Sequence, residues 1–367
     1  MGKKVEILSM QEVVNYGSYL QAYALKQMLL EAGAEKVDFL PIKRDRYLPG
    51  LKPNGAIVQV LQRIINFTKS PLSAIKRRPF VTAMKSSITS HWEKIGISRI
   101  PNSDDKYDLA IIGSDEVFNC IQSVPWGFAS SLYGNINNAL KISSYAASFG
   151  NTKLEDIEQY GLKEEIARYM SNLNSISVRD ENSKKIVKAL LGIEAKEHLD
   201  PVLVYDYTKV INAHFNHNEK DYIVIYTYAN RITKEERNAI IKFAKKYQKK
   251  LLSIMSYYDW CDGYIIPSDP FEVLQWFRHS DFVITDTFHG TIFSTITHSK
   301  FATLVRESNR NKLNDLLQRL HLSDRSATSN NLESILLTPI DYNSIEENLS
   351  ELRFNAKKYI VSLLESI

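Results

Sequence analysis

Short apolar segments alternate with amphipathic helical segments twice along this chain, and no other feature constrains its fold as strongly. Val5 to Met10 is a compact apolar strand followed by a polar loop, Gln11 to Gly17. Ser18 to Ala32 then carries Leu20, Ala24, Leu25, Met28 and Leu29 at helical spacing, Gly33 closes the helix, and Val37 to Leu40 returns as a strand. One helix between two strands predicts parallel pairing with helices on the sheet faces. The series resumes with a strand at Asp108 to Ile112, a strand at Lys141 to Ala146, a helix over Leu154 to Leu173, a strand at Ser175 to Val178 and a helix over Glu181 to Leu191. Leu199-Asp200-Pro201 reads as a boundary, because proline restricts the residue before it and stops a helix.

A second series starts at Tyr222. Strands are expected at Tyr222 to Tyr226, Leu251 to Met255, Phe282 to Thr285 and Phe301 to Val305, with helices at Thr233 to Gln248, Pro270 to His279 and Gly290 to Thr297. At 367 residues the chain is long enough for two such units. The expected fold class is α/β, two Rossmann-like domains with parallel sheets. Residues 1–200 form the first domain with a helical insert at 43–99, 201–343 form the second, and a C-terminal helix within 344–367 crosses back to the first.

The net charge of +4 acquires meaning once it is mapped. Residues 43–99 hold 12 Lys and Arg against Asp45 and Glu93 alone, an excess of +10, so the remainder sums to −6. Within the insert, Ile57, Val58, Val60, Leu61, Ile64 and Ile65 mark one face of a short amphipathic helix, and Arg77 to Trp92 reads as a second helical segment after Pro71 and Pro79. The insert is read as a solvated helical lid or as a surface for an anionic acceptor, with peripheral contact at the inner face of the cytoplasmic membrane as the sharper form of that idea. Cys120 and Cys261 stand alone, without CxxC spacing, which supports neither a disulfide framework nor a zinc knuckle. The HxxH of His214 and His217 has no carboxylate placed to complete a metal site. No signal-peptide core follows Met1, so a cytoplasmic location is expected, with no cofactor required.

Open α/β sheets bind ligands beyond the carboxyl ends of their strands. Four such places carry polar chemistry: Asn15-Tyr16-Gly17-Ser18, Gly113-Ser114-Asp115, Ser177-Val178-Arg179-Asp180 and Thr285-Asp286-Thr287-Phe288-His289-Gly290. In the last, the helix start at Gly290 and Thr291 would favour an anion through free N–H groups and the helix dipole. His289 beside it is read as a phosphate-binding cation or proton donor, or else as a cap. Arg179 suits bidentate recognition of a carboxylate or phosphate, or else a surface ion pair with Asp180 or Glu181. Asp115 is read as a base or as the cap of a following helix. Asn15 and Gly17 allow close approach of a ligand or make a tight turn. With 14 glycines and no GxGxxG, a dinucleotide cradle is not expected.

Together these stretches resemble the polysaccharide pyruvyl transferase family. The resemblance is carried by Asn15-Tyr16-Gly17-Ser18-Tyr19-Leu20-Gln21-Ala22-Tyr23-Ala24-Leu25, by Ile112-Gly113-Ser114-Asp115-Glu116-Val117-Phe118-Asn119 and by Ser144-Tyr145-Ala146-Ala147-Ser148-Phe149-Gly150. Ser177-Val178-Arg179-Asp180, Leu199-Asp200-Pro201-Val202-Leu203 and Thr285-Asp286-Thr287-Phe288-His289-Gly290-Thr291 complete the series in family order. The resemblance implies a GT-B-like arrangement, phosphoenolpyruvate as donor, a saccharide as acceptor, and a pyruvate ketal across two hydroxyls, in cell-surface or exopolysaccharide biosynthesis. By it, Arg179, Thr287, Gly290 and Thr291 line the donor, His289 and Asp115 are catalytic, and Asn15, Tyr16, Gly17, Gln21 and Ser114 face the acceptor. Some relatives carry arginine where this chain has Thr287, so Arg306 is the expected second cation. The alternative is a glycosyltransferase using a nucleotide sugar, since architecture alone does not give function. A nucleic-acid role for the insert has only Tyr47, Phe67, Phe80 and Trp92 as aromatic support and is not expected.

Overall fold

The structure is a computed structural model describing residues 2–51, 71–97, 105–122, 124–213 and 217–367. Its first half is a six-stranded sheet of β1 (Lys3–Leu8), β2 (Ala34–Phe39), β3 (Tyr107–Asp115), β4 (Ala139–Ala147), β5 (Ser177–Val178) and β6 (Lys196–Glu197), in the order β2-β1-β3-β4-β5-β6. The second sheet holds β7 (Tyr222–Tyr226), β8 (Lys250–Ile254), β9 (Gly263–Tyr264), β10 (Phe282–Thr285), β11 (Phe301–Leu304) and β12 (Ser326–Ala327), in the order β12-β11-β10-β7-β8-β9. Every strand pairing within both sheets is parallel. Strand order reverses between β1 and β3 in the first sheet and between β7 and β10 in the second, which opens a crevice at each place.

The apolar periodicity explains why the sheets are sandwiched. The outward face of the first sheet packs Leu8, Ile112, Phe118 and Phe149 with helices of its own half, and that of the second packs Ile223, Ile284 and Leu304 with Phe243 and Leu336. The facing sides share one continuous core running from Val5 and Leu20 through Leu203 and Tyr207 to Val224, Val283 and Phe293, and on to Tyr359. Helix Tyr342–Glu365 crosses back over the first sheet, where the Tyr359 hydroxyl donates to the Ser144 carbonyl at 3.0 Å and Lys3 Nζ donates to the Leu364 carbonyl.

Two expectations change. The helix anticipated over Leu154 to Leu173 is two helices, Leu154–Gln159 and Lys163–Met170, because Gly161 takes the left-handed conformation (φ 66°) between them. The basic insert is not an appendage of the first half alone. Its helix Pro71–Thr89 runs through Pro79, and Phe80 lies buried against Tyr264 and Tyr257 of the second half at ring distances of 5.1 and 6.2 Å. Ser87 donates to the Pro267 carbonyl, His91 stands 3.4 Å from Asp269, and Lys26 holds the Ile95 carbonyl at 3.0 Å, so the described part of the insert bridges both halves. The amphipathic stretch from Ile57 to Ile65, Phe67 and His214 lie outside the described residues. Among the described residues no helix is long and apolar enough to cross a membrane, and no group of three His, Cys, Asp or Glu could hold a metal ion.

Candidate functional site

The carboxyl ends of β3, β5 and β6 and the turn after β10 meet where the two halves face each other. Arg179, immediately after β5, is 3% exposed and donates to Asp200 Oδ2 at 2.8 Å and to Asp115 Oδ1 at 3.3 Å. Its guanidinium lies over the Phe288 ring of the second half, 4.1 Å from the centroid, a cation–π contact. The surface ion pair considered for it is therefore overturned: the partners are Asp200, buried at the start of helix Pro201–Val204, and Asp115, partly buried at the end of β3, and Asp180 instead caps helix Glu181–Leu191 through the Ser183 N–H at 2.8 Å. Burial opposes the charge of Arg179, but Asp115, Asp200, Asp180 and Glu116 hold it ionised well above its ordinary range. Its Nε is buried without a hydrogen-bond partner.

Asp200 is the centre of the cluster. It is 1% exposed and caps the short helix Pro201–Val204 through the Val202 N–H at 3.0 Å. Its Oδ2 receives Arg179 and, at 3.3 Å, the Ser114 hydroxyl, and lies 3.7 Å from His289 Nε2. Burial works against its ionisation, yet His289, Arg179 and the Val202 amide keep its carboxyl well below the usual range. His289 is 9% exposed, and its Nε2 is a second buried polar atom without a hydrogen-bond partner.

Gly17 explains how residue 17 and residue 289 meet. A Cβ built on Gly17 would overlap the His289 ring, so glycine lets the first helix close against the histidine of the other half. Asn15 caps that helix, Tyr16–Glu31, its Oδ1 accepting from the Ser18 N–H at 2.7 Å. Tyr16 and Gln21 are wholly buried, Gln21 donating to the Ser9 hydroxyl at 2.6 Å, and Ser114 is spent on Asp200, so these three leave no surface for an acceptor. No helix follows Asp115: it stands in the left-handed region (φ 73°) at the end of β3, between Arg179 and the Ser18 hydroxyl at 3.5 Å.

On the other side, Thr287 caps helix Phe288–Ile296, its hydroxyl accepting from the Gly290 N–H at 2.8 Å, and the Thr291 N–H donates to the Thr287 carbonyl at 3.1 Å. The N–H groups expected to be free at Gly290 and Thr291 are thus committed to the cap. The Thr291 hydroxyl points into the sheet toward Thr303 at 3.2 Å. Arg306 does not join the cluster: both terminal nitrogens bond Glu236, at 2.5 and 2.9 Å.

The cation that does reach the cleft is Lys312, on helix Arg310–Arg319, whose ammonium pairs with Glu116 across the two halves. Arg319 of the same helix donates to the Arg179 carbonyl at 2.9 Å. Leu313, Leu316 and Leu317 at helical spacing were the sequence signal for this helix. Burial disfavours the charge of Glu116, but Lys312 and the Asn119 amide bring its carboxyl down to about 2 from an ordinary 4.5. A depressed carboxyl stabilises the fold fully above about 4.5, and that stability is lost as pH falls through about 2. Lys312→Met is expected to cost about 3 kcal/mol at neutral pH. The gap from the parent should narrow between pH 4.5 and 2, as read by urea unfolding at each pH; a gap constant with pH would remove Glu116 from the account.

Comparison with curated proteins gives no match. Among solved structures, UDP-GlcNAc 2-epimerase from Neisseria meningitidis bound to UDP-GlcNAc superimposes with a TM-score of 0.51 at 13% identity over 100% of both chains. S. aureus MnaA in its UDP co-structure gives 0.50 at 12% identity, covering 96% of this chain and 91% of that one. Both likenesses concern the fold, two parallel sheets in a GT-B-like arrangement. The family model for polysaccharide pyruvyl transferase matches residues 15–308, from the Asn15 cap through Asp115, Arg179, Asp200 and His289, and the chain belongs to that family.

Proposed function

We propose that the chain transfers the pyruvyl group of phosphoenolpyruvate to a saccharide, closing a ketal across two hydroxyls. The observation that carries the reading is the convergence of Arg179 and His289 on Asp200, each with a buried nitrogen that makes no hydrogen bond to the protein, Arg179 Nε and His289 Nε2, the latter 3.7 Å from Asp200. Buried donors left unpaired are costly, and a ligand carrying a carboxylate and a phosphate would satisfy both. Of the two carboxylates on Arg179, Asp115 makes the longer bond and keeps a partly exposed side chain, so it is the one that yields its place to the donor.

His289 protonates the methylene carbon of the donor, and the adjacent carbon becomes electrophilic. An acceptor hydroxyl adds there while Asp115 takes its proton. The bond from that carbon to the phosphate oxygen breaks, and inorganic phosphate departs with its electron pair. A second hydroxyl then adds to the same carbon, losing its proton, and the ring closes. Tyr228 is half-exposed and within electrostatic reach of Lys312, Asp115 and Glu116, which suits its ring to the apolar face of the acceptor sugar. Exposed Arg78 and Lys85 on the insert suit an acceptor bearing phosphate.

The test is a thermal-shift titration with phosphoenolpyruvate and, separately, with nucleotide sugars, followed by phosphate release with saccharide acceptors. Stabilisation by phosphoenolpyruvate with acceptor-dependent phosphate release is expected. Stabilisation by nucleotide sugars alone would replace this reading with glycosyl transfer.

A further inference from the structure

The linker that joins the two halves lines a cavity whose walls share no residue with the catalytic motifs. Tyr205, Asp206, Tyr207, Thr208 and Asn212 form one wall of a space of about 470 Å³. Arg278, Ile296 and His298 of the second half form another, and Glu346, Arg353 and Lys357 of the C-terminal helix a third. None of these residues belongs to the Arg179–Asp200–His289 cluster. The volume is within the range of pockets that hold small molecules.

The charge of the cavity is uneven in a way the protein does not resolve by itself. Three permanent cations, Arg278, Arg353 and Lys357, face two carboxylates. Both carboxylates are already engaged. Asp206 accepts from the Thr208 N–H at 2.8 Å, and Glu346 lies 2.6 Å from Arg353 and 3.2 Å from His298. Among the described residues, neither Arg278 nor Lys357 has a carboxylate within ion-pair distance, and Arg278 Nη1 donates to the Thr297 carbonyl at 3.1 Å. His298 stacks on Tyr342 at 4.4 Å, which fixes its ring in the cavity wall.

We infer that this cavity binds a phosphorylated small molecule, its phosphate held by Arg278, Lys357 and the remaining Nη2 of Arg353, whose Nε and Nη1 bond the Leu203 carbonyl and Glu346, and its remainder resting on Tyr205 and Ile296. Arginine and lysine on separate elements suit a phosphate from several directions. Because the linker, the second half and the C-terminal helix each supply a wall, an occupant ties all three together and fixes the angle between the halves. The site thereby couples ligand binding on one side of the molecule to the geometry of the cleft on the other, without contributing to the chemistry.

Inorganic pyrophosphate is the probe, titrated into the intact chain at constant ionic strength with calorimetry and thermal shift as readouts. Saturable binding at one site is expected, weakened tenfold or more in the double variant Arg278→Glu/Lys357→Glu. Both side chains are exposed, so the fold should persist, which circular dichroism checks. His289→Gln should leave pyrophosphate binding unchanged. Equal affinity in the charge-reversed variant, absence of saturation, or loss of binding on His289→Gln would each overturn the assignment, the last by placing the probe in the catalytic cleft. The result is independent of whether phosphoenolpyruvate is the donor.

Discussion

Arg179→Met should unfold in urea with about 3–5 kcal/mol less stability than the parent, the range for breaking a buried ion pair from one side. The reason is local. Asp200 is essentially solvent-free, and among the described residues Arg179 is the one permanent cation bonded to it, so methionine would strand a carboxylate that also caps a helix. Asp115 would lose its partner too, but it retains partial access to water and contributes less. Arg179→Lys should fall between, since an ammonium can reach one carboxylate while the fork spans two. The double variant Arg179→Met/Asp200→Asn should recover part of the loss, because the amide carries no charge and can still accept from Val202. A loss below about 1 kcal/mol in the single variant would mean the cluster contributes no net stability and that burial cancels the attraction.

His289→Gln is expected to reduce phosphate release from phosphoenolpyruvate by about 10² to 10⁴-fold, the span typical of losing a positioned proton donor. Stability should fall by about 1–2 kcal/mol, less than on losing Arg179, because His289 Nε2 gives up a long contact to Asp200 at 3.7 Å and no hydrogen bond of ordinary length. That contrast separates the two residues: Arg179 holds the site together, whereas His289 acts on what enters it. A split of kcat from KM sharpens the point. If His289 gives the proton, kcat falls while KM for phosphoenolpyruvate moves little; if it chiefly binds phosphate, KM rises. Turnover close to the parent would sink the role altogether.

The elements that could be read from the sequence were those whose own residues carry the whole signal. Tyr222–Tyr226 and Phe282–Thr285 are uninterrupted apolar runs with no competing period, and both are strands with those bounds. Glu181–Leu191 likewise has Asp180 to start it and Gly192 to stop it. The two-residue strands β6, β9 and β12 are too short to show alternation and exist because a neighbouring strand supplies the ladder. The site divides in the same way. Arg179, Asp115 and His289 were visible because each follows a strand. Asp200 looked like a linker residue beside a proline, and only the meeting of β5, β6 and the helix at Phe288 shows that it sits among the other three. Arg306 was a reasonable second cation by position, but Glu236 on another helix claims it. Lys312 takes the corresponding place beside Glu116, and nothing in local periodicity says which of two basic residues six apart will face the cleft.

The return of helix Tyr342–Glu365 over the first sheet has a consequence for how the chain is made. Tyr359 bonds to Ser144 and Ser175, and Lys3, near the amino end, reaches the Leu364 carbonyl. During synthesis, β1 to β6 leave the ribosome well before the helix that covers them, with the whole second half in between. The inner face of the first sheet therefore waits in an incompletely buried state, open to chaperones and to misassociation, until the last turn of that helix is released. Closure then waits on the emergence of that helix, and protection of the Ser144 region in pulse-labelled hydrogen exchange should appear together with that of helix Tyr342–Glu365.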